Sequence, residues 1–125
     1  MIDHISIPVS DLNRSRDFYQ PLLDLLDMKI IADRPKTVGF GKKYPEFWLN
    51  HRPDMDPTPT DTGFHICLRA KTTETIDRFH EIALANGGVC GGEPGKRQAA
   101  MVVYYAAFIH DPDGNKVELM TVPQD

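Results

Sequence analysis

The chain has 125 residues, a formal net charge of −4 at pH 7, and 41% apolar side chains. A chain this long supports one hydrophobic core without disulfide or metal staples, and an acidic balance with scattered Lys and Arg weighs against nucleic acid or an anionic membrane as the main partner. No apolar run approaches the roughly 20 residues of a membrane helix, the start MIDHISIPVS lacks signal-peptide regions, and Cys67 and Cys90 read as free thiols, so a cytoplasmic protein with a small-molecule partner is expected.

From Ile2 to Val9 the side chains alternate. Ile5, Ile7 and Val9 share one face and His4, Ser6 and Pro8 the other, the period of a half-buried strand. Ser10 or Asp11 can cap the helix that follows, whose apolar stripe is Phe18, Leu22, Leu25 and Leu26. Pro21 falls inside this helix, where its ring and missing N–H predict a kink or a restart. Short strands follow at Lys29 to Ile31, Val38 to Phe40 and Phe47 to Asn50, which makes residues 1–52 a β-α-β-β-β module. Residues 51–62, HRPDMDPTPTDT, have three prolines and three aspartates without periodicity, and they divide the chain into halves.

In the second half, Phe64, Ile66, Leu68 and Ala70 alternate with His65, Cys67 and Arg69, and a helix capped by Thr72 or Thr73 carries Ile76, Phe79 and Ala83 on its buried side. Asn86-Gly87-Gly88 ends that helix with a left-handed glycine. Glycine-rich 87–95 and Lys96-Arg97 read as a loop. Met101 to His110 and Lys116 to Val122 read as strands joined by the turn Asp111-Pro112-Asp113-Gly114-Asn115. Residues 62–123 therefore repeat the first module, and one register lays His65 on His4, Phe79 on Phe18 and Leu84 on Leu23.

In the last strand Val117 and Leu119 point one way while Lys116, Glu118 and Met120 point the other. Glu118 thus joins His4 and His65 on the face opposite the helices. Two imidazoles and a carboxylate suit a divalent transition metal with coordination positions left open, and His4, His65 and Glu118 are the expected metal ligands. If the DPDGN turn joins neighbouring strands, residue 110 pairs with 116 and 108 with 118. Phe108, Ala106 and Tyr104 then share the face of Glu118, and a register shifted by one would exchange Tyr104 for Tyr105. Cys67 and Met120 read as apolar lining, Arg69 as a binder for a substrate carboxylate or a solvated strand end, and His51, His80 and His110 as surface or helix histidines.

Asp3-His4-Ile5, Phe18-Tyr19, His65-Ile66 and the stretch Phe108-Ile109-His110-Asp111-Pro112-Asp113-Gly114-Asn115-Lys116-Val117-Glu118-Leu119 resemble the glyoxalase I, bleomycin-resistance and extradiol-dioxygenase group, the vicinal oxygen chelate superfamily. The resemblance implies an α+β fold in which residues 1–125 form a single glyoxalase-like domain. Its two β-α-β-β-β modules would make an incompletely closed, U-shaped barrel around a divalent metal (Zn, Ni, Mn or Fe), often as a homodimer, with His4, His65 and Glu118 at ligand positions. Glyoxalase I enzymes carry a further ligand, commonly Glu, on the last strand of the first module. The best register puts Trp48 there, which leaves three protein ligands and makes Trp48 a pocket wall able to stack on a substrate. Glu46, two residues earlier, becomes the fourth ligand if the register slips by two.

The activity implied is a metal-dependent, glyoxalase- or lyase-like reaction on a small substrate with vicinal oxygens, with Glu118 or Glu46 as the base near the carbon acid. Ring-cleaving Fe(II) oxygenation is the enzymatic alternative. Metal-free sequestration of a small molecule, as in bleomycin-resistance members, is the non-enzymatic one.

Overall fold

Alternation sets the first strand, β1 (Ile5–Val9), with Ile7 and Val9 buried and Ser6 and Pro8 exposed. The computed structural model describes residues 1–123, so the last two residues of the expected 1–125 domain lie outside the described residues. The chain divides into two units between Pro57 and Thr58.

In the first unit, α1 (Leu12–Asp24) opens on Asp11, whose carboxylate accepts the Arg14 N–H at 3.0 Å. The helix runs through Pro21 as one element, without the expected restart. The N–H that proline lacks would have bonded the carbonyl of Asp17, an exposed residue that water can serve. Packing of the fully buried Phe18 and Leu22, one turn apart, holds the helix across the gap. Because α1 stops at Asp24, Leu25 and Leu26 fall outside it half-buried, and Tyr19 and Leu23 complete the buried face instead.

The strands β2 (Lys29–Asp33), β3 (Thr37–Gly41) and β4 (Phe47–His51) join β1 in the order β1-β4-β3-β2, with β1 parallel to β4 and the other pairs antiparallel. Helix α1 covers one side of this sheet. There the Tyr19 ring lies 5.1 Å from Phe47 and 5.0 Å from Phe18 between centroids, with Val38, Phe40 and Leu49 buried alongside. Each such side chain contributes about 1.5–3 kcal/mol through burial.

The second unit repeats the order, with β5 (Ile66–Arg69), α2 (Thr73–Ala85), β6 (Val89–Gln98), β7 (Val103–His110) and β8 (Lys116–Thr121) arranged β5-β8-β7-β6. Again the first strand runs parallel to the last, β5 beside β8. Thr72 caps α2 by accepting the Thr75 N–H at 3.2 Å, and Gly87, at φ 96°, takes the left-handed position just past its end. The Asp111 carboxylate pins the DPDGN turn by accepting the N–H groups of Asp113 at 2.9 Å and Asn115 at 2.8 Å. The α+β architecture of two β-α-β-β-β units is therefore the one the family resemblance implies.

One expectation is corrected in this unit. Residues 89–98 are a ten-residue strand paired with β7, not a loop. Strand pairing uses backbone groups, which glycine supplies as well as any residue, and here the missing side chains leave room for neighbours. A Cβ on Gly91 would come within 3.2 Å of His110 and Phe108, and one on Gly92 within 3.1 Å of Phe108 and Arg97. His80 is a helix histidine, one of the two readings open to it, and is buried on α2 at 6% exposure.

On the helix side of the sheet, the Tyr105 hydroxyl donates to the Asp77 carboxylate of α2 at 2.5 Å. That bond and the nearby negative charge hold the phenol above its ordinary value. The bond's stabilisation is then fully present below the ordinary tyrosine range, about 10, and is lost as pH rises through the raised value. Asp77→Asn is expected to lower the Tyr105 titration midpoint, read by ultraviolet difference absorbance.

Candidate metal centre

In the second unit, parallel pairing of β5 and β8 sets Cys67 opposite Glu118, and His65 stands just before β5. The His65 Nε2 and Glu118 Oε1 atoms are 2.9 Å apart, with the Glu118 side chain 7% and the His65 side chain 38% exposed. Two adjacent ligands of one octahedral ion at bond lengths of about 2.1 Å have donor atoms about 3 Å apart. That separation is a hydrogen bond, which supplies the partner a nearly buried carboxylate needs, and it also matches the spacing of two ligands on one cation.

Pairing of β7 with β8 places Phe108 opposite Glu118 and His110 opposite Lys116, the register that the turn implied. Phe108 meets His65 edge-on, with centroids 5.4 Å apart and planes at 70°. By alternation Tyr104 shares this face, while Tyr105 takes the other one and bonds α2. Arg69, exposed at the end of β5, lies on the His65 side by the same rule.

Two cations join this face, Lys116, which strand alternation placed there, and Arg97, which the sequence reading left in a loop. Lys116 Nζ is 4.9 Å and Arg97 Cζ 5.2 Å from the Phe108 ring centroid. Lys116 was legible, two residues from Glu118 in one strand, whereas Arg97 required β6 to exist. Partial burial, with the Glu118 charge and hydrogen bond as lesser causes, pushes the Cys67 thiol up to about 12.

The first unit carries the matching positions. Ser6 stands opposite Trp48 between parallel β1 and β4, as Cys67 stands opposite Glu118. His4 precedes β1 and is exposed, and its Nδ1 lies 2.7 Å from the Asp3 carboxylate. In the neutral ring that contact keeps the proton on Nδ1 and leaves Nε2 with a lone pair for a metal. His4, Ser6, Arg34, Thr37, Trp48 and Asn50 line an open pocket of about 240 Å³. The Trp48 ring lies over Gly39, where a Cβ would come within 3.0 Å of it, and the Arg34 guanidinium is 5.5 Å from its centroid. Glu46 is exposed just before β4, with its N–H bonded to Phe40 and its carbonyl to Ile5.

A strand-helix-strand-strand-strand unit occurring twice, with a histidine entering the first strand each time and a His–carboxylate pair in the second copy, defines a duplicated α+β class. The model of the Glyoxalase/Bleomycin resistance protein/Dioxygenase superfamily matches residues 1–119, and the chain belongs to that superfamily. It is 33% identical to a probable lactoylglutathione lyase from Synechocystis sp., over 94% of this chain and 92% of that protein. It is 26% identical to the metallothiol transferase FosB of Staphylococcus saprophyticus, over 96% of this chain and 76% of the relative. The solved glyoxalase/bleomycin resistance protein from Albidiferax ferrireducens T118 superposes with a TM-score of 0.84 at 29% identity, covering 95% of this chain and 97% of that one. Among the described residues, no helix is long and apolar enough to cross a membrane.

Proposed function

We propose that the protein is a metal-dependent lyase or isomerase acting on a small substrate with vicinal oxygens, with His4, His65 and Glu118 as the metal's side-chain ligands. The carrying observation is the His65–Glu118 pair at 2.9 Å, a nearly buried carboxylate held at ligand spacing from an imidazole. Support for His4 comes from its matching position in the first repeat and from the Asp3 carboxylate on its Nδ1. The donor set of two imidazoles and one carboxylate fits Zn, Ni, Mn or Fe(II). The relatives, a probable lactoylglutathione lyase and a metallothiol transferase, support small-molecule chemistry.

When bound, the cation supplies Lewis-acid stabilisation of the negative charge that develops on two neighbouring substrate oxygens. The chain's own residues do the rest. Glu118 takes a proton from the substrate carbon beside the carbonyl and returns it to the neighbouring carbon, an isomerisation in which no atom is gained or lost. Phe108, edge-on to His65 and opposite Glu118, walls the substrate. Arg69, Arg97 and Lys116 offset charge on an anionic substrate, and Tyr104 extends the same face.

The test is turnover of a panel of α-ketoaldehydes, with and without a small thiol, by protein loaded under nitrogen with Zn²⁺, Ni²⁺, Mn²⁺ or Fe²⁺. Metal-dependent product formation that disappears in Glu118→Gln, without oxygen uptake on admitting air, is the expected result. Metal-dependent oxygen consumption would assign ring-cleaving oxygenation instead, and no turnover with any metal would remove the lyase reading. Trp48 is the single tryptophan, so a substrate entering its pocket is expected to change the protein's emission in a saturable way. Emission unchanged at saturating substrate would put the substrate away from Trp48.

A further inference from the structure

The second unit holds another group of metal-competent side chains that shares no residue with the proposed centre. His80 sits on the buried face of α2, and its Nε2 lies 3.2 Å from the Cys90 Sγ of β6. Glu93 completes the group, with Oε1 3.5 Å from Cys90 Sγ and Oε2 4.0 Å from His80 Nε2.

The strand's irregularity creates this arrangement. In an unbroken strand residues 90 and 93 would face opposite sides of the sheet. Here Cys90 pairs with Ile109 and Gly92 with Phe108, so Gly91 is an extra residue and returns Glu93 to the side of Cys90. That side faces α2, as the Tyr105 to Asp77 bond shows. Arg97 fixes the bulged segment further, its Nη2 donating to the Glu93 carbonyl at 2.7 Å.

Tetrahedral Zn²⁺, with Zn–S of about 2.3 Å and Zn–N and Zn–O of about 2.0–2.1 Å, sets its ligand atoms roughly 3.4–3.6 Å apart. The separations of 3.2 Å between His80 and Cys90 and 3.5 Å between Cys90 and Glu93 lie close to that range, and the other Glu93 oxygen stands 4.0 Å from His80. We propose that His80, Cys90 and Glu93 form a second metal site, suited to a thiophilic divalent cation such as Zn²⁺, with a fourth position open to water. As the metal–sulfur bond forms, the Cys90 thiol proton leaves to solvent, and neutral His80 binds through Nε2. The thiolate distinguishes this site from the imidazole–carboxylate centre, because soft sulfur favours Zn²⁺ over Mg²⁺ or Mn²⁺.

Titration of the purified protein with Co²⁺ tests the proposal, because a coordinated thiolate gives a sulfur-to-cobalt charge-transfer band. Expected is a band saturating at about one equivalent per chain and bleached by Zn²⁺, retained in Cys67→Ser and Glu118→Gln and absent from Cys90→Ser. In Glu93→Gln, at a side chain 78% exposed whose replacement spares the core, the midpoint should rise at least about tenfold. Circular dichroism of each variant verifies the fold. A folded wild type without the band, a band surviving Cys90→Ser, or an affinity unmoved by Glu93→Gln would overturn the second site. Retention of the band in Glu118→Gln separates its fate from that of the proposed centre.

Discussion

Replacing Glu118 with glutamine is expected to lower divalent-metal affinity by more than about 100-fold while leaving the protein folded. Removing a group that merely orients a ligand costs about 10–100-fold in affinity, so losing the ligand charge itself should exceed that range. Glutamine keeps the shape of Glu118 and can still hydrogen-bond His65 Nε2, now 2.9 Å from the carboxylate. A neutral amide is also easier to bury than a carboxylate at a position only 6% exposed. The Phe108 and Cys67 strand pairings on either side of residue 118 run through the backbone and survive the change. Competition with a chromophoric chelator reads the affinity, and a thermal melt reads the fold. Unchanged affinity in a folded variant would take Glu118 out of the ligand set.

Gly41→Ala is expected to destabilise the protein by about 3 kcal/mol, the upper end of overpacking effects. A Cβ at Gly41 would lie 1.8 Å from the Tyr44 carbonyl oxygen and 2.8 Å from its carbon. Backbone atoms cannot swing aside as a long side chain can. The turn is also closed from below, where the Glu46 N–H donates to the carbonyl of fully buried Phe40 at 2.8 Å. Relief therefore requires opening the β3–β4 connection, next to the strand β3 that carries Gly39 beneath Trp48 and Thr37 in the pocket wall. Denaturant unfolding measures the loss. Gly95→Ala, where nothing lies within 4 Å of the added carbon, should change stability by no more than about 0.5 kcal/mol. Equal effects at the two glycines would refute the steric account.

Strands with alternating side chains were legible from the residues alone. Ile5, Ile7 and Val9 against Ser6 and Pro8 set the face of β1, and the DPDGN turn set the 108–118 pairing because few residue combinations make so short a connection. The match of Trp48 to the position of Glu118 came from the family resemblance. What escaped was β6, since Val89–Gln98 contains three glycines and a proline and so lacks the β-branched and aromatic signature of a strand. Its order comes from backbone pairing with β7 and from the room that Gly91 and Gly92 leave for Phe108, a tertiary cause with no local trace. Missing β6 hid Arg97 beside Phe108 and also the meeting of His80 with Cys90 and Glu93. Pro21 did not restart the helix, because packing of Phe18 and Leu22 outweighed the loss of one helical hydrogen bond.

Metal content tests the central claim most directly, measured by elemental analysis on Cys90→Ser protein so that only the centre at His65 and Glu118 is counted. After reconstitution and removal of free ions, the account predicts about one divalent ion per chain, falling below about a tenth when His65→Ala or Glu118→Gln is added. Folded protein that binds no ion, or that keeps its full complement in both added variants, would contradict it.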